Sequence, residues 1–264
     1  MNSGFQNSVE NAWKFTMKIV NSLWVGDYQS KRYLRIGEPL SPLQIISINS
    51  FIQKGFQYNL YVYGEVKNIP KGVNVIDGNE ILPESSIWYY NKGFNEGSPS
   101  AFSNEFRYKL LIQEGGLWVD TDMVLLKELD LDKRYLFVSE VDESKNQRVA
   151  TGLMYSKYPN QKLFNECMDE IHLRDKDTLK HGDIGPNLFD YKVRELDLME
   201  YVLEPSKFGN PNWDETYKFV DGDEISEESI GIHLWNSRWK TDGLDPYKEY
   251  DKNCIYERLK KKYL

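Results

Sequence analysis

The chain has 264 residues, 40% of them hydrophobic, which is enough for one sizeable α/β domain. Its net charge is −8, and no broad basic patch is present, which argues against recognition of nucleic acid through the phosphate backbone. An acidic protein still binds an anionic nucleotide when a metal ion supplies the local positive charge.

In chain order, the first fifteen residues (MNSGFQNSVENAWKF) are polar and lack the apolar centre of a signal peptide. Residues 21–26 (NSLWVG) read as a short buried strand. Residues 41–54 read as a helix, with Ser41 as N-cap, Pro42 at the first helical position and Gly55 where a C′ glycine belongs. Residues 58–64 alternate like a strand and 72–78 form another. Strand, helix and strand in close succession predict a βαβ unit with parallel strands. Residues 100–114 (SAFSNEFRYKLLIQE) predict a helix capped by Ser100 or Ser103, with Phe102, Phe106 and Leu110 on one face and Gly115 and Gly116 ending it. Strands are expected at 135–139 and 149–155, and helices at about 160–174 and 186–196. Residues 230–239 begin as a strand and then leave it. The C-terminal segment KNCIYERLKKKYL is basic and helical in pattern, reading first as a solvated terminal helix and second as a contact for an anionic membrane.

Asp-x-Asp occurs four times among the 19 aspartates. The pairs Asp130/Asp132, Asp175/Asp177 and Asp221/Asp223 sit in polar, turn-like stretches and read as surface charge. Asp120/Asp122 instead interrupts an apolar run, with GLWV before it and MVLL after it. Two carboxylates at the end of a buried strand are costly unless paired or bound to a cation, and ligands collect at the carboxyl ends of strands in open α/β sheets. On an extended backbone both side chains point the same way and address one hard cation, Mg²⁺ or Mn²⁺. The competing reading is a buried salt-bridge cluster. Arg107, which shares a helical stripe with Asn104 and Leu111, is aimed at Asp120 and suits either reading. His233, within IHLWNSRWK, adds an imidazole that favours Mn²⁺, and Lys240 adds a cation for a phosphate.

The run FSNEFRYKLLIQEGGLWVDTDMVLL resembles the DXD-containing sugar-binding region of GT-A glycosyltransferases, in the group of initiating mannosyltransferases, α-1,4-glycosyltransferases and capsular-polysaccharide transferases (glycosyltransferase family 32). LWVG, HGDIGPNLF and IHLWNSRW resemble three further stretches of that family in the same order. The resemblance implies an α/β fold of GT-A type, with a Rossmann-like, mostly parallel central sheet flanked by helices. It implies one domain over residues 1–264, with a nucleotide-binding half at about 20–125 and an acceptor and closing half at about 126–264. It assigns Asp122, His233 and Asn236 to a metal, Mn²⁺ or Mg²⁺, and Asp120 to metal, ribose or both. Trp24, Val25, Gly26 and Ser103 go to the nucleotide-sugar donor, Ser237 to the donor or as a helper beside the metal, and Trp239 and Lys240 to the diphosphate. Arg107 goes to the donor sugar or phosphate, Asn104 to the donor sugar, and Asp183 to a sugar hydroxyl. Asn104 stands where the family usually has Asp, and Trp118 where it usually has Tyr.

The implied activity is retaining transfer of a hexose from a nucleotide-diphosphate sugar, UDP preferred, to a hydroxyl of a glycan or other acceptor, with the metal stabilising the departing diphosphate. A two-carboxylate glycoside hydrolase needs its carboxyl groups on either side of a bond, a nucleotidyl- or phosphotransferase lacks its glycine loop here, and a non-catalytic carbohydrate-binding module is the remaining alternative. Cys167 and Cys254, the only cysteines, show neither metal-ligand spacing nor a disulfide framework. With no apolar run of membrane-spanning length, a cytoplasmic protein is expected, meeting any membrane-attached acceptor from the soluble side.

Overall fold

The computed structural model describes residues 18–26, 28–29, 34–35, 39–93 and 96–264; the polar N-terminal stretch lies outside them. A six-stranded sheet is built from β1 (Ile19–Val25), β4 (Gln57–Tyr63), β5 (Val73–Asp77), β6 (Gly116–Val119), β8 (Tyr135–Val141) and β9 (Gln147–Ser156), in the order β5-β4-β1-β6-β9-β8. β5, β4, β1 and β6 are mutually parallel, while β9 runs antiparallel to both β6 and β8. Two ribbons stand apart: β2 (Tyr28–Gln29) with β3 (Leu34–Arg35), and β7 (Met123–Leu125) with β10 (Gly231–His233).

Alternation along the strands sends side chains to two cores. Tyr61, Tyr63 and Trp118 face one side, where α2 (Ser100–Gln113), α3 (Lys162–Leu173) and α4 (Pro186–Glu195) cover them. Tyr58, Leu60, Leu117 and Val119 face the other, against Ile48 and Phe51 of α1 (Pro42–Gln53). The aromatic content is thus largely spent on core: Phe102, Phe106, Phe164, Phe189, Tyr108 and Trp118 are all fully buried and pack ring against ring. A third cluster joins α1, β7 and β10 to the short helices α5 (Lys218–Asp221) and α6 (Asn236–Thr241) and the C-terminal α7 (Ile255–Tyr263).

Local signals account for most element ends. Ser41 and Gln44 form a reciprocal capping box with Pro42 at the first turn of α1, and Gly55 follows at φ +79°. α2 differs from its expected cap: Pro99 occupies the N-cap position without a side-chain bond, and Ser98 Oγ instead accepts from the Ser100 N–H at 3.2 Å. α7 is not a solvated helix, because Ile255, Tyr256, Leu259 and Tyr263 are buried and Asn49 of α1 donates to the Tyr263 carbonyl at 2.7 Å. No helix among the described residues is long and apolar enough to cross a membrane.

Candidate active site

The chain winds from β1 outward through β4 to β5 and then returns to β6 on the other side of β1. This reversal is the topological switch point at which the carboxyl ends of neighbouring strands leave a crevice. Trp24 and Val25 close β1 there, and Asp120 follows β6. A cleft of about 2150 Å³ opens over this point and runs along the β8–β9 hairpin to α4 and α6.

The Asp-Thr-Asp segment departs from its sequence reading. Residues 120–122 form a turn between β6 and β7, closed by the Met123 N–H on the Asp120 carbonyl at 3.1 Å, so the two carboxylates do not share one face of a strand. They have different partners. Asp120 Oδ1 accepts from Trp118 Nε1 at 3.0 Å and lies 3.1 Å from Arg107 Nη2; Oδ2 accepts from Arg107 Nη1 at 3.3 Å. Asp122 Oδ1 lies 3.4 Å from His233 Nε2, and Oδ2 accepts the backbone N–H of Asn236 at 2.9 Å. The β7–β10 pairing brings these partners in, with His233 opposite Met123, the residue after Asp122.

Arg107 is buried and fixed from several sides. It donates to the Ser103 carbonyl at 3.1 Å, Ser103 Oγ at 2.9 Å and the Thr151 carbonyl at 2.7 Å, and its guanidinium lies 5.0 Å from the centre of the Trp118 ring. Burial raises the Asp120 pKa while Arg107 pulls it down and Asp122 adds to the rise. Burial also opposes ionisation of both Asp122 and His233, yet each favours the charged form of the other, so the Asp122 carboxyl falls below and the imidazole rises above its ordinary value.

The β8–β9 register supplies what the sequence did not show. Phe137 pairs with Met154 and Ser139 with Val149, so Val138 alone faces the four residues Ala150–Leu153. This bulge turns backbone into the site. The Thr151 carbonyl meets Arg107, the Gly152 carbonyl accepts the Asp120 N–H at 2.8 Å, and a Cβ on Gly152 would lie 3.2 Å from Met123 Sδ, 3.5 Å from His233 Cε1 and 3.8 Å from Asp120 Oδ2. A strand glycine is a known sign of a bulge or close approach, so Gly152 was within reach of sequence reading. Trp235 was not: at φ +55° it stacks on His233 with centroids 3.6 Å apart and donates Nε1 to the Pro211 carbonyl at 2.9 Å.

The other expected site residues divide by placement. Trp24, Val25, Ser103, Asn236, Ser237 and Lys240 line the cleft, Asn236 meeting Asp122 through its backbone. Trp239 borders it too, but as an anchor: its ring is buried against Tyr256 at 4.6 Å and its Nε1 donates to the Leu234 carbonyl at 2.7 Å. Gly26 is required by packing, since a Cβ there would come within 2.5 Å of the Glu65 carbonyl. Asn104 is buried against the Gly-Pro segment, where a Cβ on Gly185 would lie 2.9 Å from its Nδ2. Asp183 caps a turn, accepting the Lys180 N–H at 2.8 Å. Of the remaining Asp-x-Asp pairs, Asp130 and Asp175 each accept the N–H two residues on, as turn aspartates do.

A divalent ion is implied by the resemblance, and the donor set suits one held partly by a ligand. Among the described residues no group of three or more His, Cys, Asp or Glu side chains is spaced to enclose a metal. Asp120 is committed to Arg107 and Trp118, whereas Asp122 Oδ1 and His233 Nε2 lie 3.4 Å apart and offer an oxygen and a nitrogen at one place in the cleft. Ions bound through one or two protein groups and completed by substrate phosphates have this form.

Residues 43–139 match the family described as the glycosyltransferase sugar-binding region containing a DXD motif. The match runs from α1 into β8 and includes Asp120 and Asp122. No curated protein sequence matches the chain. Among solved structures, the chain is similar to the PaToxG glycosyltransferase, at 12% identity over 98% of this chain and 92% of that one, with a TM-score of 0.44. It is also similar to the UDP-bound glycosyltransferase domain of the YGT toxin, at 9% identity over 71% of this chain and 79% of that one, with a TM-score of 0.45.

Proposed function

We propose that this chain is a metal-assisted glycosyltransferase that moves a hexose from a nucleotide-diphosphate sugar, UDP preferred, to an acceptor hydroxyl with retention of configuration. The observation that carries the reading is the meeting of Asp122, which lies in the stretch that matches a DXD sugar-binding region, with His233 from outside that stretch, beside the β1/β6 switch point.

On this reading the base and ribose lie at the end of β1 against Trp24 and Val25, and the diphosphate crosses towards Asp122. Asp122 and His233 would hold a divalent ion, which would supply positive charge for the diphosphate leaving group. Arg107 keeps Asp120 charge-balanced and fixes the turn. Lys240, on the cleft wall at the end of α6, adds a cation on the diphosphate side.

The test is a screen of nucleotide sugars for UDP or GDP release with Mn²⁺. Asp122→Asn keeps an oxygen near the Asn236 N–H and removes the charge, so release is expected to fall at least ~100-fold, the scale of losing one charge-stabilising group. A wild-type chain that turns over no nucleotide sugar, or an Asp122→Asn variant with full activity, would overturn the reading.

A further inference from the structure

We infer that Glu140, held by Arg148 on the β8–β9 wall of the cleft, forms an acceptor subsite for a neutral, hydroxyl-rich molecule. The inference rests on the transferase reading and assigns the acceptor to the β8–β9 wall of the cleft.

The pair sits on the same wall as the Asp122 site, and Glu140 is near enough to His233 for its charge to favour the imidazolium. Arg148 precedes Gly152 by four residues on β9, up to about 13 Å along an extended strand, and Glu140 is its cross-strand partner. Both line the same cleft as Asp122 and His233. With a volume of about 2150 Å³, that cleft exceeds the 300–1,000 Å³ usual for a single small ligand.

Glu140 stands out among the acidic groups on this wall. Asp190 has both oxygens engaged, by the Val149 N–H at 2.8 Å and Arg194 Nε at 2.9 Å. Asp142 Oδ1 accepts from the backbone N–H groups of Ser144 and Asn146, both at 2.8 Å. Glu143 is at the rim with 73% of its side chain exposed. The Glu140 side chain is only 10% exposed, and both bonds from Arg148, through Nε at 3.0 Å and through Nη2, go to Oε1. Among the described residues, no hydrogen bond is made to Oε2. Oε2 is therefore left to face whatever occupies the cleft that Glu140 lines.

The chemistry of that occupant follows from charge. Arg148 balances the buried Glu140 directly and reaches the exposed Glu143 only at 3.9 Å, so the buried pair itself is neutral. Arg148 Nη1 also reaches Asn187 Oδ1 at 3.3 Å, which leaves part of its five-donor fork unused. One free carboxylate oxygen beside free guanidinium donors suits hydroxyls, which donate to the first and accept from the second. Trp213 lines the same cleft, its Nε1 donating to the carbonyl of Val141, the residue after Glu140, at 2.9 Å and Arg238 lying 5.6 Å from its ring centre, and it adds an aromatic surface of the kind a sugar ring packs on.

The probe is a set of methyl α-hexopyranosides (gluco, galacto and manno) read by saturation-transfer NMR on the full chain, with UDP and Mn²⁺ present and no donor sugar. At least one glycoside is expected to bind wild-type protein, and Glu140→Gln and Arg148→Lys are each expected to weaken it about tenfold, the scale of one hydrogen bond to a charged group. Thermal melting checks that each variant is folded, and Trp213→Leu, which leaves the ion pair in place, serves should either fail. The inference is overturned if no glycoside binds, if folded variants bind like wild type, or if a lysine peptide binds through Glu140 and the glycosides do not. Glycoside binding through Glu140 without UDP release from any nucleotide sugar sinks the transferase reading alone. UDP release with glycoside binding indifferent to Glu140 sinks the subsite alone.

Discussion

At the residue scale, the two aspartates of one short motif end in different chemical states. Asp120 faces a buried Arg107 and the Trp118 indole, and Asp122 faces His233 and a backbone N–H. A strand would have given both the same surroundings; the turn separates them. Gly152 is the residue that makes this arrangement possible, because any side chain there would enter the space shared by Met123, His233 and Asp120. Gly152→Ala is therefore expected to cost about 1–3 kcal/mol by overpacking and to weaken binding of UDP with Mn²⁺ at least about tenfold, read by calorimetric titration. Wild-type affinity in a folded variant would show that the space beside His233 is not used by the ligand.

At the scale of elements, the site is held by hydroxyls that reach from helix to backbone. Ser47 Oγ of α1 donates to the Met123 carbonyl at 2.6 Å, and Ser50 Oγ accepts the Leu125 N–H at 2.8 Å. On β1, Ser22 Oγ donates to the Val119 carbonyl at 2.5 Å and bonds Tyr58 Oη at 2.7 Å. These bonds fix the strands on either side of the Asp-Thr-Asp turn. Ser50→Ala leaves a buried N–H without its acceptor and is expected to lower stability by about 1–3 kcal/mol in urea unfolding. It is also expected to reduce turnover of nucleotide sugar more than a surface serine change does, because β7 carries the turn to His233. A stability loss with unchanged turnover would mean that β7 is placed by its apolar packing alone.

The same elements show where sequence reading reaches. The α1 helix was legible to within a residue, since Ser41, Gln44, Pro42 and Gly55 act within a few positions of one another. Arg107 beside Asp120 was legible because only a helix end and a short strand separate them. The β9 bulge was marked only by the glycine in VATGL, because its place and extent arise from pairing β9 with β6 on one side and β8 on the other. The turn at 120–122 escaped for a similar reason: β7 leaves the main sheet to pair with β10, and β10 comes from far along the chain.

Over the whole molecule, ligand binding and folding are expected to be coupled through the two walls of the cleft. Residues before β8 supply Trp24, Arg107, Asp120 and Asp122, and residues after it supply Gly152, His233 and Asn236. A nucleotide diphosphate spanning Trp24 to Asp122 and His233 contacts both sets, so it binds the folded chain and has no comparable site on the unfolded one. Free ligand at 100 times its Kd then adds about 2.7 kcal/mol to stability. At roughly 2–4 °C per kcal/mol for a chain of this size, the melting temperature is expected to rise by about 5–10 °C. Because Asp120 is neutralised by Arg107 while Asp122 and His233 look to the ligand, the rise is expected to need both UDP and Mn²⁺, to disappear with EDTA, and to be lost in Asp122→Asn. A UDP shift of full size in EDTA would place the diphosphate on protein groups alone, with Arg107 and Lys240 the first to test by substitution.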